Sequence, residues 1–199
     1  MTRFVFDLDG TVSAEETLPL IASHFGIEEE IGELTRETIA GNIPFAASFV
    51  KRVNLLSHLP VSEIRGLLEQ VRLFPALLEF IREHADRCVI ATGNLECWAA
   101  ALLARIGVAS HASSALVEDD RVVKITHILR KEDVVGTFRA RGERVVFVGE
   151  GHNDLGAMRL ADVAVASALV HTPAGSVLGI ADHVVFEEDA LCRLLRQLA

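Results

Sequence analysis

Five short runs rich in Val, Ile and Phe constrain this chain most: residues 4–6, 88–91, 145–148, 163–165 and 183–186. None alternates cleanly between apolar and polar positions, so each reads as a strand buried on both faces, the condition of a parallel sheet covered by helices. Helical spacing lies between them. Leu77, Leu78 and Ile81, the stretch 98–106, and Leu191, Leu194, Leu195 and Leu198 recur at i, i+3 and i+4. The expected fold class is α/β, a doubly wound, Rossmann-like parallel sheet. The nine residues from Ala115 to Val123 predict a peripheral hairpin turning at Asp119-Asp120.

The stretch 13–75 breaks the alternation. It has no clear strand and at least three helical patterns, one of them carried by Phe45, Ala46, Phe49, Val50, Val53 and Leu56. Gly41 and Pro60 punctuate it, and Pro75 restarts the alternation. The expected organisation is an α/β core of residues 1–12 and 76–199 with an all-helical cap, residues 13–75, inserted after the first strand. Open α/β sheets bind ligands at the carboxyl ends of their strands, so an insert there covers the site.

Lys and Arg total 19 against 28 Asp and Glu, a formal charge of −9. General affinity for nucleic acid or an anionic membrane needs clustered positive charge, so neither partner is expected. There is no apolar run of about 18 residues or more, and the first residues enter a strand directly, so a spanning helix and a targeting segment are not expected. Cys88, Cys97 and Cys192 form no CxxC pair and no even disulfide framework, which fits a reducing cytoplasm.

The first apolar run ends in Asp7-Leu8-Asp9-Gly10-Thr11. A period of two puts Asp7 and Asp9 on one side, and Gly10 lets the chain turn sharply. Two like charges this close call for a bridging cation or a proton. Hard oxygen ligands of this kind suit Mg²⁺ beside a phosphate. Gly149-Glu150-Gly151-His152-Asn153-Asp154 is a second loop after a strand. Its glycine spacing is wrong for a dinucleotide, and Glu150 and Asp154 would repel a pyrophosphate while welcoming the same cation. Thr92-Gly93-Asn94 closes a third strand and offers a hydroxyl and backbone N–H groups to an anion. Lys131, one of three lysines, opens the helix that leads to Gly149.

In order and position these four elements resemble the motifs of the haloacid dehalogenase-like phosphohydrolase superfamily, and most of all its phosphoserine phosphatase branch. The insert is similar to that branch in Phe45-x-x-Ser48 followed by Arg52-Val53-x-Leu55-Leu56-x-x-Leu59-Pro60. The resemblance implies a Mg²⁺-dependent phosphatase acting on a small phosphorylated metabolite. In it Asp7 is the nucleophile that forms an aspartyl-phosphate, and Asp9 is the general acid, then base, whose backbone carbonyl binds the metal. Thr92, Gly93, Lys131 and Asn153 serve the phosphate, Lys131 also restraining Asp7, while Glu150 ligates the metal and Asp154 supports it. A phosphotransferase using an alcohol in place of water, and a catalytically weak phosphate-metabolite binder, stay open as alternatives.

Two departures from the pattern stand out. The fourth motif usually begins Gly-Asp, and here Glu150 adds a methylene. In the cap, Glu16 falls at the glutamate that meets a substrate amine, whereas the arginine that meets its carboxylate aligns with Val50, with Lys51 and Arg52 as candidates to replace it.

Overall fold

A computed structural model describes residues 1–39 and 42–199, so Gly41, expected as a helix break, lies outside the described residues. The described residues form one seven-stranded sheet with helices on both faces. β1 (Thr2–Phe6) is followed by four helices, α1 (Thr17–Phe25), α2 (Glu28–Ile39), α3 (Phe45–Leu56) and α4 (Val61–Glu69). The chain continues through α5 (Pro75–Glu83), β2 (Cys88–Leu95), α6 (Glu96–Ile106), β3 (Ala109–Glu118) and β4 (Arg121–His127). Then come α7 (Lys131–Ala140), β5 (Arg144–Gly149), α8 (Leu155–Leu160), β6 (Val163–Ser167), α9 (Gly175–Leu178), β7 (His183–Val185) and α10 (Glu188–Leu198).

The strand order is β4-β3-β2-β1-β5-β6-β7, with every neighbouring pair parallel except β3 and β4. The chain builds outward from β1 on one side and then crosses to β5 on the other. That reversal opens a crevice at the carboxyl ends of β1 and β5. The two faces follow from the pleat. Phe4 and Phe6 meet Leu77 and Phe80 of α5, Trp98 of α6 and Leu191 of α10, and Val5 and Phe147 meet Val134, Val135 and Phe138 of α7. No helix among the described residues is long and apolar enough to cross a membrane.

Several helix starts are closed by side chains from elsewhere. Glu188 accepts the N–H groups of Ala76 (2.5 Å) and Leu77 (2.9 Å) at the start of α5, where Pro75 needs no partner. Glu188 is thus more than the first-turn acid of its own helix. The hairpin turn is where its sequence put it, with positive φ at both Asp119 and Asp120. It is an edge of the sheet, but it also anchors the fourth inserted helix. The Asp120 carbonyl accepts the Val61 N–H (2.7 Å), and its carboxylate accepts the Ser62 N–H (2.9 Å) and hydroxyl (2.5 Å).

Two boundaries differ from expectation. β3 begins at Ala109, because Ala109-Ser110-His111-Ala112-Ser113-Ser114 is too small and polar to announce a strand yet pairs with β2. β2 runs on to Leu95, so Thr92-Gly93-Asn94 is irregular strand and not yet turn.

Phe80 is fully buried, its ring edge-on to Phe4 at 5.3 Å and stacked on His84 at 4.4 Å. Phe80→Ala is expected to cost about 3–5 kcal/mol, read as a lower urea midpoint. A loss below about 1 kcal/mol would contradict this packing.

Candidate active site

The site is built around one buried lysine. Asp7 follows β1 directly and donates its N–H to the Val148 carbonyl of β5 (2.9 Å), which places its carboxylate at the mouth of the crevice. Oδ1 of Asp7 accepts the Leu8 N–H (2.8 Å) and lies 2.5 Å from Lys131 Nζ at the start of α7. Nζ also lies 2.5 Å from Asp154 Oδ1. The second Asp154 oxygen accepts the N–H groups of Glu150 and Gly151, each at 2.8 Å. Asp7, Lys131 and Asp154 are all buried. Gly149 makes this approach possible, since a Cβ there would stand 2.6 Å from the Asp154 carboxyl and 2.8 Å from the Phe147 ring.

Asp9 lies at the first turn after β1, and its Oδ1 accepts the Thr17 N–H (2.9 Å) at the start of α1. Thr17 in turn accepts from the Asn94 side chain (2.7 Å), and the Asn94 N–H donates to the Thr92 hydroxyl (3.1 Å). The ends of β1 and β2 and the entry to the inserted helices are thereby one hydrogen-bonded unit.

Above these groups opens a cavity of about 660 Å³. Asp7, Asp9 and Glu150 reach it from the sheet, as do Gly93, Asn94 and Asn153. The inserted segment contributes Glu16, Leu18, Phe45, Phe49 and Arg52. The sequence-predicted residues therefore divide into two groups. Asp7, Asp9, Glu16, Gly93, Glu150 and Asn153 line the cavity, whereas Thr92, Lys131 and Asp154 lie beneath it. Asp154, expected to support the metal, accepts from Lys131 on one oxygen and from the Glu150 and Gly151 N–H groups on the other, which braces the lysine and the loop. Of the two candidates to replace the arginine missing at Val50, Arg52 is the one at the cavity. Val50 is on the exposed side of α3, and Arg52, turned about 200° further round the helix, lines the cavity.

His171, in the loop between β6 and α9, was missed by sequence reasoning because no motif spacing connects it to the site. Its Nε2 lies 2.9 Å from Glu16 Oε1 and its Nδ1 3.1 Å from Glu150 Oε2. His152 also lines the cavity, with Nδ1 2.8 Å from the Ser176 hydroxyl.

The sequence profile of the haloacid dehalogenase-like hydrolase family matches residues 4–159. The phosphoserine phosphatase of Halobacterium salinarum is 30% identical, over 98% of this chain and 97% of that protein. That of Saccharomyces cerevisiae is 28% identical, over 82% of this chain and 58% of its own length. A solved structure of a phospho-aspartyl intermediate analogue of phosphoserine phosphatase has the same fold, with a TM-score of 0.82, 23% identity and 99% coverage of both chains. The chain belongs to the haloacid dehalogenase-like hydrolase family. Within it the chain stands on the phosphoserine phosphatase-like branch, as a phosphoric monoester hydrolase.

Electrostatics at the crevice ask for more positive charge. Burial, reinforced by Asp154, pushes Asp7 well above the usual carboxylate range against the pull of Lys131. Burial, then the charge of Glu16, raises Asp9 to about 6, opposed by its hydrogen bond from Thr17. Burial raises Glu150 to about 8, His171 opposing and Glu16 and Asp154 adding. Asp7, Asp9 and Glu150 face one cavity, and Glu16, Glu150 and His171 bring one ligand atom each to within 4.8 Å of one another, so this acidic face could hold a cation. In metal-free protein these raised carboxyls add stability at low pH, and it is lost as pH rises through about 6 for Asp9 and about 8 for Glu150. Melting in EDTA should therefore occur at a lower temperature at about pH 8.5 than at about pH 5.5, and Mg²⁺ should recover more at the higher pH. Equal melting temperatures in EDTA would contradict this.

Proposed function

We propose that this chain hydrolyses a small phosphomonoester with the help of Mg²⁺, through an aspartyl-phosphate on Asp7. The observation that carries the reading is the held carboxylate of Asp7. Lys131 and the Leu8 N–H fix one oxygen, and among the described residues the other carries no hydrogen bond and belongs to a group that lines the cavity beside Asp9. Such positioning is most of what phosphoryl transfer requires.

The free Asp7 oxygen attacks phosphorus and the ester P–O bond breaks. Asp9 gives its proton to the departing alcohol oxygen, a task suited to a carboxyl raised to about 6. Asp9 then takes a proton from water as the water oxygen attacks the same phosphorus, and the bond to Asp7 breaks to release phosphate. Asp7, the Asp9 carbonyl and Glu150 would hold Mg²⁺, which supplies neutralisation of the phosphoryl charge. Asp154 would steady Lys131 and the Glu150 loop, and Gly93 and Asn153 would face the phosphate. Residues 13–75 would act as the cap that selects the alcohol, with Glu16 and Arg52 as its charged groups. Phosphoserine, named for the relatives, is the first compound to consider. The three free cysteines support a cytoplasmic setting.

Phosphate release from a panel of small phosphomonoesters should require Mg²⁺ and stop in EDTA. Asp7→Asn should lower turnover by at least about 10³-fold with an unchanged circular dichroism spectrum. Release that survives EDTA, or that survives in Asp7→Asn, would contradict the mechanism. Glu150→Asp should keep Mg²⁺-dependent activity, because charge and ligand type are retained. Complete loss would mean that the loop is built for the longer side chain.

A further inference from the structure

Three loops meet above Gly10. Glu16 comes from the entry to α1, Glu150 from the loop after β5 and His171 from the loop after β6. One ligand atom from each, a carboxylate oxygen or a ring nitrogen, lies within 4.8 Å of the other two. The backbone sets the meeting point. A Cβ on Gly10 would stand 2.7 Å from Glu16 Oε1, 3.5 Å from His171 Nε2 and 3.6 Å from Glu150 Cδ. Nε2 itself lies 2.9 Å from Glu16 Oε1. The other ring nitrogen, Nδ1, lies 3.1 Å from Glu150 Oε2 and 3.3 Å from the Thr172 carbonyl. A carboxylate or carbonyl on the second nitrogen is the arrangement that orients a metal-ligating imidazole, with its first nitrogen turned to the ion.

The donor set differs in kind from Asp7 and Asp9. Oxygen ligands alone suit Mg²⁺, whereas one imidazole with two carboxylates suits a borderline ion such as Zn²⁺. Such an ion stands about 2.0–2.2 Å from each ligand, so side-chain shifts of under about 1 Å close the triangle around it. All three residues line the cavity. Glu150 is buried and His171 exposed, which gives an ion a path in and leaves a fourth position open to water or a substrate oxygen.

We propose that Glu16, Glu150 and His171 form a site for one transition-metal ion of the Zn²⁺ class, distinct from the position of Mg²⁺ beside Asp7 and Asp9. Glu150 is common to both and has an oxygen for each. An ion here also ties the entry of the inserted helices to the core, through Glu16. The site stands apart from the hydrolysis proposed above, and its test needs no turnover.

The test is to titrate Zn²⁺ by calorimetry into the tag-free full chain with Mg²⁺ in large excess, so that positions satisfied by oxygen alone are already filled. One equivalent is expected to bind. His171→Ala and Glu16→Gln should each weaken that binding by at least about tenfold, with unchanged circular dichroism spectra. His171→Gln, which keeps the bulk of the side chain without the imidazole, should behave as His171→Ala does. The chain has 8 histidines, so a spectroscopic readout assigns the ion. X-ray absorption at the zinc edge should show a shell at about 2.0–2.1 Å with imidazole scattering, and both His171 substitutions should remove that scattering. No binding in excess Mg²⁺, or binding that Glu16→Gln or the His171 substitutions leave undiminished, would overturn the site. So would imidazole scattering that survives the loss of His171.

Discussion

Everything at the crevice depends on Lys131 standing between Asp7 and Asp154. Burying one ammonium and two carboxylates is unfavourable unless the geometry is close and the remaining oxygens are satisfied. Both conditions hold. Nζ lies 2.5 Å from each carboxylate, Asp7 takes the Leu8 N–H, and Asp154 takes the N–H groups of Glu150 and Gly151. The three charges come from the end of β1, the start of α7 and the loop after β5, so one electrostatic contact sets the relative positions of three motifs far apart in sequence. It also explains Gly149, where any side chain would push Asp154 away from the lysine.

A second set of contacts ties the inserted helices to this centre. Asp9 holds the start of α1 through Thr17, and Thr17 holds Asn94. At the other end of the insert, α4 is held by the hairpin residue Asp120, by Arg65 donating to the Cys97 carbonyl (3.1 Å), and by Arg105 donating to the carbonyls of Glu69 and Val71. Between these anchors α3 brings Phe45 down over Gly93, where an added Cβ would meet the ring at 3.2 Å. Two separate sets of hydrogen bonds thus fix the inserted helices against the sheet, one of them through Asp9 at the crevice. Asp9 thus links the end of β1 to the first inserted helix.

The strands and the site legible from sequence were those with strong local signals. Apolar runs closed by Asp7-Leu8-Asp9-Gly10 and Gly149-Glu150-Gly151 identified β1 and β5, whose terminal carboxylates line one cavity, and a run closed by Thr92-Gly93-Asn94 identified β2. What stayed hidden was set by tertiary contact. The first half of β3 is built of Ala, Ser and His and becomes a strand only because β2 offers it an edge. Arg52 was one of two candidates to replace the arginine missing at Val50, and only helical phase in the folded chain shows that it lines the cavity while Val50 is exposed. His171 carries no local pattern at all. Its place between Glu16 and Glu150 follows from how the loop after β6 folds back over the crevice, which no periodicity encodes. Asp154 was found by its motif, but its use as a brace for Lys131 is visible only in its bonding partners.

The central claim is that the carboxylate held by Lys131 is the phosphoryl acceptor. The most direct test is to mix enzyme, Mg²⁺ and a turned-over phosphomonoester, quench in acid within the first turnover, and map the added phosphoryl mass by peptide fragmentation. The account predicts the label on Asp7. A label on Asp9, on a histidine or on no residue, with phosphate nonetheless released, would contradict it.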